Sequence, residues 1–260
     1  MRRSHFAATV RSSSSTARGE ERLLDLVHGT ERVPATFLVP QRTGSAPAAL
    51  LLHGFSSSKE RMAQSVGRAL QQRGVASLAL DLPFHGERDG GRDAIPYRNP
   101  LALVSAWTTA VREARAAIEW LTRQPEVDAG RIGAIGYSLG GFLTLMMASE
   151  EPLVRAVTLA AAGDLPDTTP YAALVRRAVD PLRAARKLSG RPLLLVNGRR
   201  DTTTRPAQAE RLFAYAEEPK ELRWYDGGHW PPPSAIEDVA EWMAEKLRDP
   251  VARTGRRQVG

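Results

Sequence analysis

Residues 131–142 read RIGAIGYSLGGF: an apolar run of β-like composition, one serine between glycines, and the opening of a second apolar run. RIGAIGYS has the length and makeup of a buried strand, and LGGFLTLMMASEE those of a helix. A serine placed directly between the two must turn the chain in a single residue. That turn needs strained dihedrals and leaves room only for very small neighbours two positions away on each side. Gly136 and Gly140 stand at those positions. The pattern G-x-S-x-G is short enough to recur by chance, and a serine in a glycine-rich turn is its plainest reading. The strand predicted before it and the helix predicted after it are the context that marks Ser138 as an exposed nucleophile.

Outward from this turn the chain alternates short apolar runs with longer amphipathic ones, the pattern of an α/β domain. LLDLVHG (23–29) and VPATFLVP (33–40) predict an antiparallel hairpin turning at the TE dipeptide. AALLLHGF (48–55) and VASLALDLP (75–83) read as buried strands. The helix between them is expected to start on the capping-box spacing of Ser57 and Glu60 and to stop at Gly74. Residues 84–100 form a polar loop and 101–124 a long helix. Beyond Ser138 come strands VRAVTLAAA, RPLLLVNG and ELRWYD, helices AQAERLFAYAEE and SAIEDVAEWMAEKLR, and a short helical insert near 171–188. From Ala48 onward each strand reaches the next through a helix or long crossover. The expected fold is therefore a mainly parallel sheet of about eight strands, with an N-terminal antiparallel hairpin and helices on both faces. Residues 21–248 are expected to form one domain between a disordered basic tail over 1–20 and a second tail over 249–260.

With 42% hydrophobic and 25% charged residues, a 260-residue chain can bury one large core. The absence of cysteine excludes disulfides, thiolate metal sites and cysteine nucleophiles. No apolar run approaches the length of a membrane span, and the first residues lack the hydrophobic centre of a signal peptide. Their arginine and serine content, with no acid before Glu20, is that of a transit peptide and equally that of a disordered leader. The chain is read as soluble and cytoplasmic. Its formal charge of +7 raises the question of nucleic acid. Arg2, Arg3, Arg11 and Arg18 at one end, and Arg248, Arg253, Arg256 and Arg257 against Asp249 at the other, account for the whole excess. The body is neutral, so solvated ends and no nucleic-acid partner are expected.

A serine becomes a nucleophile only when a base takes its proton and a third group orients that base. Of five histidines, His5 lies in the leader and His28 in the hairpin. His53 ends a buried strand and reads as structural, while His85 falls in the polar loop as a loop-forming or substrate-facing residue. His229, in YDGGHWPPP, follows the last strand on the edge where open α/β sheets place their sites, and is the expected base. The order serine, acid, histidine limits the acid to residues 139–228. Asp201 stands just after a buried strand and is the first choice, with Asp164 and Asp167 as runners-up. Asp180 is expected on the insert helix and Asp226 in shaping the His229 loop. The backbone N–H groups of Leu139, at the start of the helix, and Phe55, in the loop after the third predicted strand, are the expected oxyanion donors.

Together LLHGF, DLPFHGER, GYSLGG, NGRRD and GGHW resemble the α/β-hydrolase superfamily, in particular its serine branch near dienelactone hydrolases, single-domain esterases and prolyl-oligopeptidase-like hydrolases. The resemblance runs from about Leu23 to Arg248. It implies Ser138 as nucleophile, His229 as general base and acid, Asp201 as the orienting carboxylate, and Leu139 with Phe55 as the oxyanion hole. True dienelactone hydrolases use a cysteine, which this chain lacks, and Val-Pro, which often follows the acid in relatives, is replaced by TTTRPAQ. Asp81 falls where relatives carry a structural aspartate. Asp81, His85 and Glu87 are close enough to suggest metal ligands, but loop hydrogen bonding is the reading adopted, and neither metal nor cofactor is expected. In this fold a cap grows between the strand after the elbow and the acid-bearing strand, here the short insert 163–190. A small cap implies a modest pocket, with Phe55, Phe84, His85, Tyr137, Tyr171 and Trp230 as candidate lining. The expected activity is cleavage of a small or medium-sized carboxylic ester. A thioesterase, small-substrate peptidase or acyltransferase on the same triad, or a non-catalytic ligand-binding protein of the same fold, are the alternatives.

Overall fold

The computed structural model describes residues 6–55, 57–88, 99–166, 176 and 179–248. Among these, nine strands form one sheet in the order β1-β2-β3-β5-β4-β6-β7-β8-β9. Strands β1 (Ala7–Thr16), β2 (Gly19–His28) and β3 (Glu31–Pro40) make an antiparallel meander, and β3 also pairs antiparallel with β5 (Ala76–Leu80). Strands β4 (Ala46–Leu52), β5, β6 (Val127–Tyr137), β7 (Val154–Ala160), β8 (Leu193–Gly198) and β9 (Lys220–Tyr225) are parallel to one another. The chain steps from β4 outward to β5, then crosses back to β6 on the other side of β4. That reversal is where open α/β sheets leave a crevice beyond their carboxyl ends.

Every residue of β4 is buried, as a strand covered on both faces requires. Its side chains divide by parity. Leu50 and Leu52 join the core packed by α3 (Pro100–Leu121) and α4 (Leu139–Ala148). Ala49 and Leu51 join the opposite core, packed by α1 (Lys59–Met62), a π-helical turn (Ala63–Gly67), α2 (Arg68–Gln72) and the C-terminal helix. The remaining helices are α5 (Pro181–Arg186), α6 (Pro206–Tyr215) and this C-terminal α7 (Pro233–Lys246). Helices therefore cover both faces, as the alternation of the sequence predicts.

Three expectations need correction. Residues 7–16 are not a disordered leader but strand β1, held by its pairing with β2 although each of its side chains is exposed. The hairpin turns at Gly29 and Thr30, because Gly29 takes φ 61° and Glu31 already belongs to β3. Finally, α1 is capped by Ser58 without a side-chain hydrogen bond, so the Ser57/Glu60 capping box does not form. The insert contributes α5, N-capped by Asp180, whose carboxylate accepts from the N–H groups of Leu182 and Arg183. Much of the expected insert helix, residues 1–5 and the tail 249–260 lie outside the described residues. No described helix is long and apolar enough to cross a membrane.

Candidate active site

Ser138 joins the end of β6 to the first residue of α4 at φ 53°, ψ −116°. Its N–H donates to Ala160 O at 2.8 Å and its carbonyl accepts from Phe142 at 3.1 Å, so the backbone around the strained residue is tied to β7 and to its own helix. The glycines on each side are demanded by contact. A Cβ at 136 would lie 2.2 Å from the carbonyl oxygen of Gly140, and one at 140 would lie 2.1 Å from that of Leu52.

The structure brings together the three residues chosen from chain order. Ser138 Oγ lies 2.9 Å from His229 Nε2, and His229 Nδ1 lies 2.8 Å from Asp201 Oδ2. Asp201, buried just after β8, also accepts through Oδ1 from the N–H groups of Thr203 (2.8 Å) and Thr204 (2.9 Å). With Asp201 as acceptor, His229 Nδ1 must carry the hydrogen, which leaves Nε2 as the acceptor facing the serine hydroxyl. The His229 carbonyl receives hydrogen bonds from Tyr137 Oη (3.3 Å) and Tyr225 Oη (3.2 Å). Burial raises both phenols, Tyr225 to about 12, so both remain donors near neutral pH. Neither tyrosine was assigned this task from sequence, since nothing in the local pattern shows which ring reaches the loop after β9.

Competing residues are engaged elsewhere. Asp164 is buried in a bidentate pair with Arg176 (2.9 and 2.7 Å), with Arg211 at 3.4 Å. Asp226 is exposed and bound to Arg200, while Asp167 and His5 lie outside the described residues. His53 is buried. Its Nδ1 donates to Gly54 O at 2.7 Å and its Nε2 accepts from Leu82 N at 3.1 Å, a bridge between the loops after β4 and β5. Burial pushes this ring down to about 4.

The same two loops are fastened by a charge cluster. Asp81 accepts from the backbone N–H groups of Lys59 and Glu87, both at 3.0 Å, and from the buried Lys59 ammonium at 3.1 Å. Glu60 and Glu87 also bind that ammonium. Burial opposes the charge of Lys59, and these hydrogen bonds outweigh it, so its pKa is raised. The carboxylates of Glu60, Asp81 and Glu87 lie close enough together to hold a metal ion, but the lysine supplies the cation they surround. His85 turns its Nδ1 to Pro83 O at 2.8 Å and takes no part in the cluster.

Leu139 is the first residue of α4, where helix N–H groups have no intrahelical partner. Gly54 lies so close to the elbow that a Cβ on it would come 3.3 Å from Ser138 Cβ, which carries Phe55 into the same neighbourhood. Two cavities share Leu139 and Trp107 in their lining. One, of about 250 Å³, is lined by Phe55, Phe84, His85, Trp107 and Leu139 among others. The other, of about 190 Å³, includes Ser138, Leu139, Trp107, Phe142, Leu165 and Thr203. Of the candidate pocket residues, Phe55, Phe84 and His85 thus line the cavity that reaches Leu139, the neighbour of Ser138. Tyr137 and Trp230 line a different cavity on the other face of the sheet, and Tyr171 is outside the described residues. Trp107 and Phe142, with rings 5.4 Å apart, were missed. The spacing of Leu103, Ala106, Trp107 and Ala110 marks one face of α3, but only the crossover path shows that this face meets the site.

Comparison with known proteins bears on the family and the fold. The sequence profile described as "Alpha/beta hydrolase family" matches residues 49–242. An uncharacterised protein of Mycobacterium tuberculosis is 29% identical over 183 residues, 68% of this chain and 60% of the relative. A polyketide transferase of Stachybotrys chlorohalonatus is 34% identical over 111 residues, 43% of this chain and 34% of the relative. The matches thus span less than two thirds of either relative's length. Among solved structures, a cold-adapted esterase from an Arctic intertidal metagenomic library superposes with a TM-score of 0.72 at 20% identity, covering 91% of this chain and 98% of the esterase.

Proposed function

Since the chain belongs to the alpha/beta hydrolase family, we propose that it is a serine hydrolase that cleaves carboxylic esters of small or medium-sized substrates through an acyl-enzyme on Ser138. The observation that carries this reading is the continuous relay from Ser138 Oγ through His229 to Asp201, with contacts of 2.9 and 2.8 Å.

In the first half-reaction His229 Nε2 takes the hydroxyl proton as Ser138 Oγ bonds to the ester carbonyl carbon. The carbonyl oxygen becomes an oxyanion in front of the N–H groups of Leu139 and Phe55. Asp201 holds the hydrogen on Nδ1 and stabilises the imidazolium that forms. When the tetrahedral adduct collapses, His229 gives its proton to the departing alkoxide. Water then enters, loses a proton to His229, attacks the acyl carbon, and releases the carboxylic acid and the free serine. Cavities of about 250 and 190 Å³ that both reach Leu139 suit short acyl and alkoxy groups, being smaller than the usual ligand pocket of ~300 Å³ or more.

Intact-mass labelling with a fluorophosphonate tests the reading without knowledge of the substrate. One adduct on the native chain, absent from Ser138→Ala and His229→Ala, is the expected result and leads to a panel of short-chain esters, thioesters and amides. A folded native chain that takes no adduct would overturn it. The similarity to a polyketide transferase favours a second reading, in which an acceptor alcohol replaces water in the second half-reaction. Adding a small alcohol to the ester assay separates the two: transfer product forming faster than acid marks a transferase.

A further inference from the structure

Behind the His229 loop, on the sheet face opposite α4, a third cavity of about 280 Å³ lies between the ends of β6, β7 and β8 and the helices α1 and α7. It shares no lining residue with the two cavities that reach Leu139. Its wall is apolar, built from side chains such as Val66, Ile135, Val196, Ile236 and Val239. A buried water needs two to four polar partners, which that wall does not offer, whereas an apolar group needs none. Its helical wall is also where the regular helix is interrupted. Ser65 and Val66 belong to the π-helical turn, a feature that often accompanies functional sites.

The mouth has the opposite character. Arg61, exposed, holds its guanidinium 5.5 Å from the ring centroid of Trp230, which is itself 54% exposed. Among the described residues the Arg61 side chain is paired with that ring and with no carboxylate. Ser57 stands at the same cavity. An apolar chamber with, at its entrance, a cation that no described carboxylate pairs matches a molecule with an apolar tail and an anionic head. The head would meet a guanidinium at the surface, where neither charge has to be fully stripped of water.

We propose that this cavity is a second ligand site, separate from the substrate cleft, which binds an amphipathic carboxylate: its alkyl or aryl tail lies against Val66, Ile135 and Val239 and its carboxylate is bound by Arg61. The site does not depend on the serine chemistry. Its occupant lies against Tyr137, whose hydroxyl holds the His229 carbonyl, and against Trp230, the next residue after the base. A ligand here therefore touches the loop that carries His229 from behind.

Calorimetric titration with octanoate and with octanol tests the assignment on the full chain and on the variants Ser138→Ala, Arg61→Gln and Ala235→Leu. The last fills the cavity from the first turn of α7, and Arg61 is a surface residue whose replacement leaves the core intact. Octanoate is expected to bind the native chain and Ser138→Ala with the same affinity, and at least about tenfold more weakly to Arg61→Gln, the scale of one charge-assisted hydrogen bond. Octanol binding is expected to be unchanged by Arg61→Gln, and Ala235→Leu to weaken both ligands. Because Ser138→Ala has no nucleophile, binding to it is read whether or not the chain hydrolyses esters. No octanoate binding at millimolar concentration, or equal affinity in native, Arg61→Gln and Ala235→Leu proteins, overturns the proposal.

Discussion

A serine at φ 53°, ψ −116° has left the regions open to an ordinary residue, and the surroundings must hold it there. They do so by close approach, since the Gly140 Cα faces the Leu52 carbonyl and the Gly136 Cα faces Gly140. Gly140→Ala is therefore expected to cost roughly 3 kcal/mol or more, at or beyond the upper end of overpacking penalties, because the obstacle is backbone that cannot rotate away. Urea denaturation measures it, and a loss under about 1 kcal/mol would show that the β4 loop can retreat. The acid is tested by exchange of oxygen for amide. Asp201→Asn offers His229 the wrong partner for its Nδ1 hydrogen and is expected to lower kcat by about 10³–10⁴ with KM little changed, while Asp164→Asn leaves kcat within a few fold. Equal losses in both would remove Asp201 from its role. That Ser138, Asp201 and His229 meet was legible because strand, motif and chain order each restrict them. The N–H groups of Thr203 and Thr204 that cradle Asp201 were not, since any residue supplies a backbone N–H and only the turn geometry aims it.

Among elements, β1 was the one the sequence concealed. AATVRSSSST has no apolar alternation because no face of β1 is buried, and its order comes from backbone pairing to β2 and from Arg11, which reaches Glu87 and Asp25. Periodicity reports burial, so a fully exposed strand leaves no trace in it. The parallel strands β4, β5 and β8 were legible for the converse reason: both faces are covered, and their residues form continuous, largely apolar runs. Removing residues 1–18 takes away one buried side chain, Phe6, together with the exposed strand. Exposed ion pairs contribute only ~0–1 kcal/mol each and a buried phenylalanine about 3 kcal/mol or more, so the chain should still fold, with its thermal midpoint lowered by about 2–4 °C per kcal/mol lost. A second cost appears at the edge of the sheet. The truncated chain presents the more apolar β2 as its sheet edge, and concentration-dependent association in light scattering is the expected outcome. Phe6→Ala in the full-length chain separates the two: a truncated chain much less stable than Phe6→Ala would mean that β1 itself supports the core.

At the scale of the molecule, the loops that carry the site are joined by groups whose protonation differs between folded and unfolded chains. His53, held near 4 instead of 6.5 chiefly by burial, refuses a proton that the unfolded chain accepts. Stability should therefore decline as pH falls from about 6.5 to 4 and gain no further slope from this residue below that. Glu20 and Glu87 are lowered from 4.5 to about 2, chiefly by hydrogen bonds from Arg22 and Arg11 respectively. What they contribute is complete above 4.5 and is lost as pH falls toward 2. Glu113, raised by burial despite its pair with Arg88, has the opposite sign: its fold-specific proton favours the folded chain below its raised pKa, and that advantage disappears as pH rises through it. The sum depends on all four, so one residue must be isolated by difference. His53→Gln retains one donor for Gly54 O and one acceptor for Leu82 N but cannot take the proton. Urea midpoints between pH 7 and 3.5 are expected to fall less steeply from 6.5 to 4 in this variant than in the native chain, with the decline below 4 common to both. Parallel curves across the upper window would mean that His53 is not the group that couples the two loops to pH.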